Sequence, residues 1–278
     1  EPKYRNLALE KIKIWHAQKG DIVEDYLRLA HESYDKIYCS SIFKFTPKAN
    51  LPPEMIKGGT GFDLTTVLPS EIEAVKPHLN FGFTTRGCIR KCGFCVVPEK
   101  EGNIYPVGDL LDLWDGETKD IVLFDNNILA LPNHFQMICE QARKYKLRLD
   151  FNQGLDHRLL NDDNIQLLKS ISHSEYRFSY DSLSHFKTVD RAIDLLQKNG
   201  IRRCLWYVLV GYDTTFKEDL KRVEYLKRRN QNAYIQQYVQ KDEFIPLSRW
   251  VNQHHIFQGL TWKQFISKPE NKLYRHLA

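Results

Sequence analysis

The sequence predicts an α/β protein on parallel strands: a partial (β/α)6 barrel with a small α/β unit in front and a helical cap behind. Three observations carry that expectation. From about residue 80 to about residue 240, short apolar stretches alternate with amphipathic helical ones, the pattern of repeated βαβ units. A length of 278 residues suits one large domain, or a medium one with an appendage. Three cysteines crowd into residues 88–95, just after the first strand of the series, at the strand end where such folds place their chemistry. Composition alone leaves a doubly wound sheet or an incomplete TIM barrel open; the place of the cysteines favours the barrel.

Taken in order, Leu7, Leu9, Ile12, Ile14 and Trp15 form an imperfect helical stripe over residues 6–19, closed by Gly20. Residues 21–26 and 36–45 read as strands, the second rich in β-branched and aromatic side chains. Residues 51–69 read as a linker of turn formers, and Gly58-Gly59-Thr60-Gly61 within it as a tight turn, matching no phosphate-loop pattern. The expected units are therefore 1–70, 80–240 and 241–278. Strands are expected at 82–85, 121–125, 148–152, 176–180, 205–210 and 234–238, with helices at 132–145, 161–170, 185–198 and 215–229. The tail carries Trp250, Phe257, Trp262 and Phe265 among polar residues, read as a helical cap before a base-stacking surface. The cationic run 227–229 reads as a solvated helix end.

Hydrophobic content of 42% against 27% charged residues allows a sizeable core. No run approaches 18 apolar residues and nothing at the start looks like a cleaved leader, so a cytoplasmic protein without membrane contact is expected. Cys39, Cys139 and Cys204 stand alone in apolar segments, as reduced core thiols do. The net charge of +5 supports a nucleic-acid partner only weakly. The chain opens on Glu1-Pro2, which leaves room for a longer native start.

Cys88, Cys92 and Cys95 are spaced Cys-x3-Cys-x2-Cys. Six cysteines scattered at random would give that spacing in roughly a few chains per thousand of this length. Three thiolates can hold three irons of a [4Fe-4S] cluster and leave the fourth open, whereas a structural zinc site wants four ligands, and no second Cys/His pair follows at zinc spacing.

The stretch F-T-T-R-G-C-I-R-K-C-G-F-C-V-V-P resembles the radical S-adenosylmethionine (radical SAM) superfamily, in its cysteine spacing, in Phe94 before the last cysteine and in the Thr85-Arg86-Gly87 lead-in. It is most like the branch that often carries a cobalamin-binding domain in front, and like the methylthiotransferases. The resemblance covers about residues 80–240. It implies a cluster on Cys88, Cys92 and Cys95, SAM bound at the open iron, reductive cleavage to a 5′-deoxyadenosyl radical, and an electron donor such as flavodoxin or ferredoxin. Residues 1–70 resemble part of a cobalamin-binding domain, yet the D-x-H-x-x-G motif is missing and His16, His31 and His78 lack its context, so cobalamin is not expected.

Carried over by strand position, Asp125, Asn126 and Asn127 stand where the family has a Gly-Gly-Glu-like motif for the SAM amino group, although the glycines are absent and an Asx turn serves as the plain alternative. Asn152 and Gln153 end the third strand, in reach of SAM or substrate or simply as a polar turn. Ser179 and Asp181 follow the fourth, as ribose or carboxylate partners, with Asp181 otherwise a helix cap. Val208 and Gly211 lie where the family builds its adenine shelf, with Phe94 as an aromatic face, but Tyr207 and Thr214 depart from that pattern. Arg86, Arg90 and Lys91 flank the cysteines; solvent exposure is the default for Arg90 and Lys91, and an ion pair for Arg177. The substrate, small or macromolecular, is not written in the sequence. Two further functions stay open: an RNA-modifying, methylthiotransferase-like enzyme, disfavoured by the missing second cysteine triad, and a non-catalytic iron–sulfur or zinc sensor.

Overall fold

Short-range hydrogen bonding builds the front of the chain. In the computed structural model, which describes residues 5–48 and 51–277, Asn6 caps α1 (Leu7–Gln18) by accepting from the N–H groups of Ala8 and Leu9. The strand expected at 21–26 is absent: Ile22 is 96% exposed, so its alternation has no core face to serve. The strand expected at 36–45 shortens to β1 (Tyr38–Ser40), and its parallel partner β2 (Ile56–Gly58) lies in the segment read as linker. The glycines that follow are a tight turn: a Cβ on Gly59 would lie 2.4 Å from the Ser41 carbonyl oxygen, and one on Gly61 as close to the Ser41 hydroxyl. The short helix α2 (Ser70–Glu73) packs on α1, with Lys11 Nζ 2.8 Å from the Glu73 carboxylate. Residues 1–4 and 49–50 of the expected front unit lie outside the described residues.

Beyond residue 80 the chain is a mixed α/β structure with parallel sheets. β3 (Phe81–Gly82) is followed by β4 (Thr85–Arg86), the helix α3 (Val97–Lys100) and β5 (Tyr105–Pro106), and β4 and β5 pair antiparallel, so the cysteine segment is the excursion of a hairpin. After α4 (Leu110–Leu113), β6 (Asp120–Leu123) pairs with β3, helix α5 (Pro132–Tyr145) crosses over, and β7 (Arg148–Phe151) pairs with β6, all in parallel. Helix α6 (Asp162–Lys169) starts on a reciprocal cap between Asn161 and Asn164. The fourth position is split: β8 (Ser172–His173) pairs back to β7, while β9 (Arg177–Ser179) pairs forward to β10 (Leu205–Val210). Between them α7 (Phe186–Lys198) buries Val189, Ala192, Ile193 and Leu196, an i, i+3, i+4, i+7 stripe. Helix α8 (Phe216–Arg228) leads to β11 (Asn232–Gln237), again parallel to β10.

Within each of the two parallel sheets the strands follow chain order, β3-β6-β7-β8 in one and β9-β10-β11 in the other, and among the described residues no ladder joins β8 to β9. Right-handed crossovers wound in one direction put every helix on the same face. Among the described residues β3 and β11 do not pair.

The tail folds as α9 (Phe244–Val251), α10 (His254–Gly259) and α11 (Trp262–Ile266), closed by 3-10 turns over Pro269–Leu277. Trp250, Phe257, Trp262 and Phe265 are buried in the main core, packed on each other and beside β11, which withdraws them from any stacking role at the surface. The cationic run is also not a bare solvated end: Lys227 donates to the carbonyls of Phe257 and Gln258, and Arg229 pairs with Asp190 and Asp194. Among the described residues no helix is long and apolar enough to cross a membrane.

Candidate functional site

The hairpin that carries the cysteines is fastened at its base by two carboxylates. Glu101 accepts from the Arg86 guanidinium at 2.6 Å, the Gly87 N–H at 2.8 Å and the Asn126 amide at 2.9 Å. Asp125, at the end of β6, takes the N–H and hydroxyl groups of both Thr84 and Thr85 on one oxygen, locking the bend between β3 and β4. Burial pushes the Asp125 carboxyl up, against those hydrogen bonds. Gly87 sits at φ 77°, and a Cβ there would lie 2.2 Å from the Asn103 carbonyl oxygen, so only glycine admits this close return.

Cys88, Cys92 and Cys95 are each half-buried on this excursion. The Cys88 sulfur accepts from the Arg90 N–H at 3.3 Å and faces the Asn127 amide at 3.5 Å; Arg158 and Cys92 line one cavity, and the charge of the guanidinium favours the Cys92 thiolate. Burial pushes the Cys92 thiol up, with Arg158 pulling the other way, and burial also raises the Cys95 thiol. Cys139 and Cys204 are pushed up to about 12 by burial, the state of inert core thiols.

Behind the sulfurs lies Asp156, its side chain 4% exposed. It accepts from Arg90 Nε at 2.8 Å and Asn127 Nδ2 at 3.1 Å on one oxygen, and from Arg158 Nε at 2.6 Å on the other. Burial opposes its charge, but the bonds and charges of Arg158 and Arg90 outweigh that and hold its carboxyl down at about 2. Arg90 is thus paired and not simply solvated.

Above the loop opens a cavity of about 330 Å³, within the range of small-molecule sites, lined by Cys92, Phe94, Arg158, Asp181, His185 and Tyr212 among others. Phe94 meets Tyr212 edge-on at 5.4 Å, and Gly93 makes room for that ring, since a Cβ there would lie 2.4 Å from the Tyr212 hydroxyl. Asp181 is held by the Leu209 N–H at 3.2 Å, and burial pushes its carboxyl up.

Of the residues read from sequence, Cys92, Phe94 and Asp181 line this cavity, while Asn127 faces the Cys88 sulfur and Ser179, the last residue of β9, is not among the lining residues. Asp125 and Asn126 hold the hairpin. Gln153 is exposed at the end of β7, Val208 is wholly buried in β10, and Gly211, at φ 77°, packs its turn against the Phe244 ring; none of these three lines the cavity. Arg177 pairs with Asp150. Sequence reasoning passed over Glu101, Asp156, Arg158, His185 and Tyr212. The signal for two of them was there, an Asp-His-Arg run just past the end of a parallel strand.

Among the described residues no three His, Cys, Asp or Glu side chains converge as they would on one metal ion. A [4Fe-4S] cluster places each thiolate on a separate iron. Three thiols on one loop, with two N–H donors at the Cys88 sulfur, suit it by donor chemistry.

No protein-family model matches the sequence, and no curated protein matches it. Several solved structures do, among them a crystal structure of methylornithine synthase (PylB), with 12% identity and a TM-score of 0.42 over 72% of this chain and 66% of that one. At that distance the likeness carries no argument; the α/β class rests on the strand ladders.

Proposed function

We propose that this is a radical SAM enzyme on a partial (β/α)6 barrel, with a [4Fe-4S] cluster on Cys88, Cys92 and Cys95 and S-adenosylmethionine in the adjoining cavity. One observation carries the proposal: the cysteine triad lies past the C-terminal end of a parallel strand, and its middle member, Cys92, lines a cavity that holds a buried carboxylate and an aromatic face. Held by Cys88, Cys92 and Cys95, such a cluster would supply the electron for reductive cleavage of SAM to methionine and a 5′-deoxyadenosyl radical that would take hydrogen from substrate. The chain's own part is positioning. Phe94 and Tyr212 offer ring surface for the adenine, and Asp181 an acceptor for the ribose hydroxyls. Arg158, beside Cys92, offsets the charge of the thiolates. The electron comes from a small redox protein, flavodoxin or ferredoxin in class.

Anaerobic reconstitution tests this. The wild-type protein should bind about four irons per chain with a brown chromophore, and Cys92→Ala should lose them. Zinc uptake in place of iron would favour a sensor and refute the enzyme.

A further inference from the structure

The carboxylate of Asp156 bonds no cysteine, yet two of the residues around it face the Cys88 sulfur and a third lines one cavity with Cys92. Asn127 bonds Asp156 with the same amide nitrogen that faces the Cys88 sulfur. Arg158 bonds it through Nε and lines one cavity with Cys92, where its charge favours the thiolate. Arg90 bonds it through its side chain, while its backbone N–H points at Cys88. These groups come from three separate places, the end of β6, the turn after β7 and the cysteine loop itself, and meet only on this carboxylate. A carboxylate 4% exposed is costly unless paired, and two guanidiniums and an amide pair it here. With two cations to one anion, the assembly leaves a net positive charge behind the sulfurs.

We infer that Asp156 is a positioning residue that holds Asn127 at the Cys88 sulfur and Arg158 in the cavity that Cys92 lines, and so sets the electronic environment of whatever the three thiolates bind. The inference rests on the cluster proposed above, and it can fail separately. Donors and positive charge at the sulfurs make a cluster easier to reduce, so the bonded arrangement raises its potential.

The isosteric change Asp156→Asn gives opposite signs for the two possible roles. If Asp156 were only a nearby negative charge, removing it would move the cluster potential upward. If it holds Arg158 and Asn127 in place, its loss releases them and the potential moves downward. The downward shift is expected, and Arg158→Gln should add little in the Asp156→Asn background, because both remove one arrangement. An upward or absent shift overturns the inference while leaving the cluster intact.

Iron-free protein supplies a second measurement, for a variant that does not take up the cluster. Alkylation at one fixed pH, followed residue by residue, should slow several-fold at Cys92 in Asp156→Asn, since the thiolate is the reacting form and loses its cation. Cys95, which none of these groups touches, should react as in the wild type. Equal or faster reaction at Cys92 overturns the inference. Wild-type protein that binds no iron removes the cluster proposal instead, and the alkylation result still decides whether Asp156 holds Arg158 beside Cys92.

Discussion

Asp181 and His157 show how differently two buried titratable groups serve one cavity. Asp181 borders it, and Asp181→Ala should weaken SAM binding by roughly ten- to a hundredfold, the loss of about 1.5–3 kcal/mol for a hydrogen bond to a charged group. Isothermal titration measures this; cluster absorption should stay unchanged, since Asp181 is no ligand, and undiminished affinity would make it a strand-end support only. His157 is 1% exposed behind the cavity, bonded to the Thr188 hydroxyl, with burial foremost in lowering it from 6.5 to about 4. A depressed pKa disfavours the charged form in the folded state. Its stabilising contribution is thus full above about 6.5 and lost as pH falls through about 4. Urea unfolding should show His157→Gln losing about 2 kcal/mol less than the wild type between about pH 7 and about pH 5. At this scale the cysteines were legible because their spacing is a local property of the sequence. Asp156 and Arg158 were not, because their meaning arises only when the turn after β7 is brought against a loop more than sixty residues earlier.

Among the elements, α8 does more than cover the sheet. Its buried stripe includes Asp219 and Arg222, both 0% exposed and 2.6 Å apart. Arg222 also donates to the carbonyls of Tyr180 and Leu209, and Asp219 accepts from the Gly211 N–H, so one helix clamps the ends of β9 and β10 beside Asp181. Breaking a buried pair leaves an uncompensated charge, so Asp219→Ala should cost about 3–5 kcal/mol, read as a fall in thermal stability. An unchanged melting temperature would mean that the clamp contributes nothing. Strands β10 and β11 and the four long helices of the parallel part stand where apolar periodicity placed them, because each buries a continuous face. The front strands did not follow, since 21–26 offers no buried face and β2 is only three residues long, defined by its pairing with β1 and not by its own pattern.

For the whole molecule, the alternation of elements told of parallel units but not of their lateral order, which depends on which strands pair. The ladders supply it within each of two sheets, where the order is sequential, and residues past the ends of β6, β7, β9 and β10 meet the cysteine loop or the cavity beside it. The cap was read as helical from composition, and its aromatics turned out to belong to the core, where Trp250 and Trp262 pack with ring centroids 5.4 Å apart. The account stands or falls on what that convergence of strand ends does to SAM. The direct measurement is 5′-deoxyadenosine formed from SAM by anaerobically reconstituted, chemically reduced protein, with Cys92→Ala alongside. Formation by the wild type and none by the variant is the predicted result; an iron-loaded wild type that leaves SAM intact, or a variant that forms as much product, would contradict it.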